Sequence, residues 1–206
     1  MPNWCTTHYI ATGEMEDLLA LANTLNTMPN RENGFGRYWA GNFLAALGLP
    51  TECCRGTFDP CFGAQACFFG PNVNEKDVFR VDPDGKMRFS TTSAWGRMDG
   101  VEDAIARKYP SIDLCFSATD EFGNFHETHN PRSYGDLEKY ETSEMSFSRG
   151  ELDDFVAHLR ELCPGLDVPS DEERLASDEF ENRFLQWREE DEDNRGEIYY
   201  AVYQDI

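Results

Sequence analysis

Side-chain character alternates along the first residues of the chain, between Trp4 and Thr12. A period of two is typical of a β-strand, and the residues here are aromatic, β-branched or small. Gly13 interrupts the alternation, and acidic residues then precede leucines and alanines spaced three and four apart, which predicts an amphipathic helix. The apolar positions of this helix are Leu18, Leu21, Ala22 and Leu25.

The pattern between residues 35 and 128 predicts a second helix, a loop rich in glycine, proline and cysteine, a hairpin, a third helix and two strands. Gly48 and Pro50 are the stop signals of the second helix, and Asp82-Pro83-Asp84-Gly85 forms the hairpin turn. The predicted bounds are 35–49 for the helix, 51–71 for the loop, 78–81 and 86–95 for the hairpin strands, 99–109 for the third helix, and 112–116 and 125–128 for the last two strands.

This order of elements is a split strand-helix-strand pattern once the second helix is set aside, and it predicts an α+β fold. We expect residues 1–130 to form a ferredoxin-like antiparallel sheet covered by helices, with an inserted helix and a Cys-rich loop. Residues 131–206 are predicted to form an acidic C-terminal α/β extension, either packed on the same sheet or following it. Its predicted strands span 138–147 and 198–203, and its predicted helices span 151–162 and 170–192.

The charge of the chain is strongly negative and unevenly distributed. The formal net charge is -21; 11 acidic residues precede Val101 and 28 follow it, whereas the basic residues divide 8 and 10. A carboxylate-rich C-terminal half repels phosphate backbones, so direct nucleic-acid binding is disfavoured and a basic protein partner is expected. The acidic helix at 170–192 is interpreted either as a solvated surface or as a mimic of nucleic-acid phosphates.

The chain begins without a basic region followed by an apolar run, and it contains no stretch of about eighteen apolar residues. We therefore expect a cytoplasmic protein that is not bound to a membrane. The seven cysteines fit reduced thiols better than a disulfide framework, because an odd number leaves one unpaired.

Four short segments carry a resemblance to a known family. They are Met1-Pro2-Asn3-Trp4-Cys5, Thr92-Ser93-Ala94-Trp95, Tyr109-Pro110 and Glu121-Phe122-Gly123-Asn124-Phe125. Together they resemble the YubB ferredoxin-like family of plasmids, phages and bacterial chromosomes, over roughly the first two thirds of the chain. The resemblance implies the ferredoxin-like architecture and an accessory role in a mobile genetic element; it implies no catalytic mechanism.

Two groups of residues have the chemistry of metal ligands without the usual spacing. Cys53, Cys54, Cys61 and Cys67 are four thiols in one loop, but zinc knuckles use cysteines two residues apart, so buried small side chains are the favoured interpretation. His126 and His129 are expected on a strand, where residues three apart point to opposite faces, and surface histidines are favoured there. No metal or other cofactor is expected.

Trp4 and Trp95 lie on strands that a ferredoxin-like order brings near one another, and with Asn3 and Cys5 they are candidates to line a shallow pocket. Core packing is the commoner role of aromatic strand residues, and both interpretations stay open.

No Ser-His-Asp elbow, phosphate-binding loop or dinucleotide fingerprint is present in the sequence. The leading hypothesis is therefore a non-enzymatic interaction protein that binds a basic macromolecular partner. The alternative is a small-molecule-binding domain or enzyme with its pocket near Trp4 and Trp95. The sequence indicates no oligomeric state.

Overall fold

The computed structural model describes residues 3–28, 36–51, 56–59, 79–121, 126–132, 134, 137–190, 195 and 197–205. The chain combines helices with antiparallel sheets, and the expected α+β class is confirmed. None of the helices in these ranges is both long enough and apolar enough to span a bilayer. Contacts divide the chain into two compact units, Met1–Phe125 and His126–Ile206.

The first unit contains four antiparallel strands, in the spatial order β2–β3–β1–β4. Alternation of side chains along each strand places one set of residues on a helix-covered face, as the period of two requires. Cys5, for example, lies opposite Ser93 on β3 and Asp120 on β4. The strands are β1 (Trp4–Thr12), β2 (Gly56–Asp59), β3 (Met87–Ala94) and β4 (Asp113–Asp120).

Three helices accompany this sheet, namely α1 (Met15–Asn26), α2 (Ala40–Ala46) and α3 (Asp99–Lys108). Acidic residues occupy the first turn of α1 and of α3, where they stabilise the positive end of the helix dipole. The helices and one face of the sheet share a single hydrophobic core. The fully buried members include Tyr9, Leu18, Leu21, Leu25, Phe43, Met87, Phe89 and Ile105.

The hairpin partner of β3 differs from the sequence prediction. Residues 78–81 were expected to pair with β3, but the described part of this segment makes only an isolated bridge between Val81 and Met87. β3 pairs with β1 on one side, and the strand on its other side is β2, which lies inside the passage predicted as a loop. Glycine is unusual in a strand, and Gly56 is one reason why this strand was not predicted. A Cβ atom there would lie 2.4 Å from Met98 Sδ and 2.9 Å from Thr92 O, so only glycine fits.

The turn before β3 forms as predicted, with Gly85 at a φ of 77° and its N–H donating to Asp82 O at 2.9 Å. The second helix is shorter than its apolar pattern, because Trp39 has an extended ψ and bridges to Thr57. Gly48 ends this helix region in the left-handed conformation, as its stop signal predicted.

The second unit contains a three-stranded antiparallel sheet in the order β7–β6–β8 and a parallel pair formed by β5 and β9. Its helices bury aromatic and aliphatic side chains in a second core that includes Tyr140, Phe155, Leu159, Phe180, Phe184 and Trp187. The strands are β5 (His126–His129), β6 (Glu138–Thr142), β7 (Ser146–Ser148), β8 (Tyr200–Val202) and β9 (Gln204–Asp205), and the helices are α4 (Leu152–Leu162), α5 (Glu172–Leu175) and α6 (Asp178–Glu189).

Two predicted elements of the second unit are each divided in the structure. The strand expected at 138–147 is the hairpin of β6 and β7, closed by a bond from Thr142 N to Met145 O at 2.8 Å. The acidic helix expected at 170–192 is interrupted between α5 and α6. Asp171 and Ser177 cap the two helices separately, through the N–H groups of Arg174 and Phe180. The buried residues on the two sides of the break, Leu175 and Phe180, are five residues apart, a step that does not fit helical spacing.

Candidate functional site

The structure brings Asn3, Trp4 and Trp95 together at one end of the first unit's sheet, where β1 begins and β3 and β4 end. The N–H of Trp95 donates to Asn3 O at 2.7 Å, and the N–H of Glu121 donates to Trp4 O at 3.0 Å. The Asn3 amide Nδ2 donates to a carboxylate oxygen of Asp120. We call Asn3, Trp4, Trp95 and Asp120 the tryptophan edge.

Both indoles of the tryptophan edge are exposed to solvent. Trp95 is 65% exposed and Trp4 is 43% exposed, in contrast to the buried aromatic side chains of the core. Cys5, a candidate to line a pocket with them, is fully buried and lies in the core. Exposed tryptophans are typical of binding surfaces, where they supply large contact areas.

Trp95 has a strained backbone, with a φ of 74°. Within the described ranges it is the one residue other than glycine that has a positive φ. This conformation costs about 1–3 kcal/mol in a residue with a side chain and persists only where the surroundings enforce it. Two hydrogen bonds do so here: Trp95 N to Asn3 O, and Ser93 Oγ to Gly96 O at 2.6 Å. Strain of this kind is concentrated at functional sites.

Arg97 anchors the chain two residues beyond Trp95. Its guanidinium lies 4.2 Å from the ring centre of Phe116 and forms ion pairs with Glu102 at 2.5 Å and with Asp99 at 2.9 Å. The Arg97 and Glu102 side chains are 13% and 17% exposed, so their ion pair is largely shielded from water, whereas Asp99 is 75% exposed and its pair is open to solvent. The arginine therefore holds the strained turn against α3 and β4.

A buried hydrogen bond continues this network into the core, where Tyr9 Oη donates to Glu102 Oε1 at 2.6 Å. Burial raises the pKa of Tyr9 well above its ordinary value, and the Glu102 charge adds to that effect. Burial also raises the pKa of Glu102, while the Tyr9 hydrogen bond and the Arg97 charge oppose the rise. Tyr9 therefore keeps its proton at neutral pH and serves as a donor rather than a base.

The side-chain oxygen of Asn3 is a hydrogen-bond acceptor that lacks a donor in the described part of the chain, and we call it the orphan acceptor. This atom, Oδ1, is buried and accepts no hydrogen bond from the residues that the structure describes. The orientation of the amide is fixed by Asp120, because an ionised carboxylate only accepts hydrogen bonds and so selects the NH₂ group. A buried acceptor without a partner costs about 1–3 kcal/mol, and a ligand that brings an N–H donor would offset that cost.

The sequence pointed to Asn3, Trp4 and Trp95 but not to their supports. Arg97 and Glu102 look like ordinary charged residues at the start of a helix, and Tyr9 looks like an ordinary core aromatic. The signal that was available is the Trp95-Gly96 pair, since glycine beside a strand end marks a special backbone conformation.

The structure describes one of the two groups of metal candidates. Cys53, Cys54, Cys61 and Cys67 lie outside the described residues. His126 and His129 lie on β5, as expected, and the His126 ring packs edge-on against Tyr203 at 5.0 Å. Within the described part of the chain, no group of three or more His, Cys, Asp and Glu side chains is arranged to hold a metal ion.

No protein-family model, curated protein or solved structure matches this chain. The likeness to the YubB ferredoxin-like family therefore stays a prediction from the four segments that carry it.

Proposed function

We propose that this chain is a non-enzymatic intracellular protein that binds a basic macromolecular partner. The observation that carries this proposal is the charge of the second unit, where 23 acidic residues accompany 8 basic ones. Such an excess attracts a positively charged surface over distances of about a Debye length, roughly 8 Å at physiological salt.

The acidic side chains of α4 and α6 lie opposite the buried faces of these helices. Phe155 and Leu159 of α4 and Phe180 and Phe184 of α6 are in the core. The carboxylates occupy the remaining positions and are open to a partner. The exposed acidic residues of the two helices are Asp153, Asp154, Glu161, Asp178, Glu179, Glu181 and Glu189.

Basic side chains of the second unit are held in place by hydrogen bonds to the backbone, and Lys139, Arg183 and Arg195 also pair with acidic residues, so the excess of acidic groups is what remains. Five of them donate to main-chain carbonyl oxygens, at distances between 2.5 and 3.5 Å. Arg195 also stacks on the Trp187 ring at 4.2 Å. The five are Lys139, Arg160, Arg183, Arg188 and Arg195.

A binding measurement with a defined basic probe tests the proposal. A fluorescently labelled peptide of nine lysines is titrated with the protein, and anisotropy gives the affinity at several salt concentrations. The triple variant Asp178→Asn, Glu179→Gln, Glu181→Gln is expected to bind about tenfold more weakly, because three exposed charge pairs are each worth about 0.2–1 kcal/mol.

The matched control removes three exposed carboxylates from the first unit, through Glu14→Gln, Glu16→Gln and Asp103→Asn. It changes the net charge by the same amount and is expected to weaken binding much less. Equal losses in the two triple variants would mean that only net charge matters, and a wild-type protein that does not bind the peptide at physiological salt would contradict the proposal.

A second candidate function is small-molecule binding near Trp4 and Trp95. The observation in its favour is the combination of exposed indoles, a strained Trp95 backbone and the orphan Asn3 Oδ1. A thermal-shift screen with a panel of metabolites tests it. A shift that appears in the wild type and disappears in Trp95→Ala would favour this candidate over the binding of a basic protein.

We also propose that the first unit is ferredoxin-like and that the chain is an accessory factor of a mobile genetic element. The strand order β2–β3–β1–β4, with α1 between β1 and β2 and α3 between β3 and β4, supports the fold assignment. The role rests on the sequence resemblance alone. An experimental structure with α1 and α3 on different faces of the sheet would contradict the fold proposal.

A further inference from the structure

We propose that the tryptophan edge is a recognition site for an arginine side chain of the basic partner. This inference rests on the proposed function and adds to it the place and the chemistry of one specific contact. The acidic helices supply attraction without selectivity, whereas the tryptophan edge selects a guanidinium group.

The first argument is the state of Trp95. Its indole is 65% exposed, so the core gains little from it, yet the backbone is held in a left-handed conformation that presents it at the end of the sheet. Two hydrogen bonds keep this turn in place, from Trp95 N to Asn3 O and from Ser93 Oγ to Gly96 O. The ion pair of Arg97 with Glu102 fixes the chain that follows it. A residue held rigidly outward against a conformational cost is suited to binding, because little freedom remains to be lost.

The second argument concerns the kind of group that an indole binds in an acidic protein. Tryptophan has the most favourable aromatic face for a cation, and arginine stacks on such faces more often than lysine does. The same chain contains contacts of this type, among them Arg97 on Phe116 and Arg195 on Trp187, each at 4.2 Å. The edge carries two exposed indoles, and its buried Asp120 carboxylate accepts a hydrogen bond from Asn3.

The third argument is the orphan acceptor. Asn3 Oδ1 is buried, accepts no hydrogen bond within the described ranges and belongs to the same residue whose carbonyl holds Trp95. A guanidinium has five N–H donors in a rigid planar fork, and it can donate to an amide oxygen while its plane stacks on an indole. An ammonium group lacks the plane for stacking, so the edge favours arginine over lysine.

Stacking of a nucleic-acid base on the indoles is the competing use of such a surface. The net charge of -21 opposes it, because phosphates would have to approach an acidic protein. The two uses are separated by the experiment.

The experiment compares labelled peptides of nine arginines and nine lysines, measured by anisotropy at physiological salt with wild-type protein and variants. The wild type is expected to prefer the arginine peptide, and Trp95→Ala is expected to reduce that preference by about fivefold or more. Trp95→Gly relieves the left-handed strain and provides a second variant if Trp95→Ala folds poorly. Leu49→Ala, at another exposed apolar side chain, is expected to leave the preference unchanged.

The outcomes distinguish the inference from the function on which it rests. Loss of affinity for both peptides in the triple variant of α6, with an unchanged arginine preference in both Trp95 variants, would overturn the inference and leave the proposed function standing. Failure of the wild type to bind either peptide would contradict both. Binding of a single-stranded oligonucleotide that is lost in Trp95→Ala would replace the arginine site by a base-stacking site.

Discussion

The hydroxyl of Tyr9 donates a hydrogen bond of 2.6 Å to the carboxylate of Glu102, and this bond ties β1 to α3 inside the first unit. Glu102 also accepts from Arg97, the residue that anchors the strained turn at Trp95. The stability of the core and the geometry of the tryptophan edge therefore depend on the same carboxylate.

Replacing Tyr9 by Phe should destabilise the protein by about 1.5–3 kcal/mol, because the lost bond is made to a charged acceptor in a buried place. Urea denaturation measures the change in the free energy of unfolding. Tyr109→Phe is the matched control: it removes a bond of 2.7 Å between Tyr109 and the Thr24 hydroxyl, both uncharged, and should cost about 0.5–1.5 kcal/mol. Equal costs would show that the Glu102 carboxylate adds nothing.

The pH dependence of stability should reveal the burial of Glu102. Burial raises its pKa in the folded state above the ordinary 4.5, so its contribution to stability is fully present below that value and is lost as the pH rises through the folded pKa. The unfolding free energy of the wild type minus that of Glu102→Gln should therefore fall as the pH rises from 4.5 through the raised pKa of the folded state.

Glu151 provides a control of opposite sign. The N–H and hydroxyl of Ser148 both donate to it at 2.7 Å and lower its pKa. The free energy of unfolding of the wild type minus that of Glu151→Gln should therefore rise with pH over the range where the carboxylate ionises. Two differences with the same slope would mean that the surroundings of Glu102 do not disfavour its charge.

Periodicity predicted the elements whose packing follows one face of a helix or strand. β1 and α1 are examples: Cys5, Tyr9 and Ala11 lie on the core face of β1, and Leu18, Leu21 and Leu25 form a single buried stripe. Periodicity missed β2, because Gly56 is required by contact with Met98, which is distant in sequence, and it missed the break before α6, where Ser177 caps the helix. The first error arises from a contact that local sequence does not encode, and the second from a local capping signal that an apolar pattern does not include.

The candidate site was predictable only in part for the same reason. Trp4 and Trp95 were identified as aromatic residues at strand ends, but their exposure depends on how β1 and β3 are paired. The positive φ of Trp95 and the orphan Oδ1 of Asn3 arise from the three-dimensional environment. Residue type alone carries no information about either feature.

Gly13 is expected to tolerate no side chain. A Cβ atom there would lie 2.6 Å from Ser111 O and 3.1 Å from Ile112 Cα, and both are backbone atoms that cannot rotate away. Gly13→Ala should therefore cost about 1–3 kcal/mol, measured by urea denaturation. Gly100→Ala is the control, since Gly100 lies in α3 with open space around it and should gain about 0.5–1 kcal/mol from helix propensity. A neutral Gly13→Ala variant would contradict the close approach.

Lys139 is expected to be the main polar support of the second unit. It is 3% exposed, and its ammonium donates to Tyr203 O at 2.5 Å and lies 3.1 Å from Glu172 Oε1. Lys139→Met keeps the volume of the side chain but removes the donor to a buried carbonyl, and it should cost about 1–3 kcal/mol.

The matched control for this prediction is Arg160→Met. The exposed Arg160 side chain also donates to a carbonyl, Val168 O at 2.9 Å, but water can replace it, so the cost should stay below about 1 kcal/mol. Hydrogen exchange of the β6 and β8 amides locates the effect. Unchanged protection there in Lys139→Met would show that the lysine does not support this sheet.

At position 95, a glycine substitution should be more stable than an alanine substitution, which is the reverse of the order at an ordinary exposed residue. At a φ of 74°, glycine avoids the strain that alanine retains, so Trp95→Gly should be more stable than Trp95→Ala by about 0.5–1 kcal/mol, although glycine gives the unfolded chain more freedom. Leu49, another exposed apolar residue, has no positive φ, and there Leu49→Gly should be the less stable member of the pair. Thermal denaturation of the four variants measures both differences. If alanine were the more stable substitution at both positions, the backbone of Trp95 would not be strained, and the argument that it is held outward for binding would lose its main physical support.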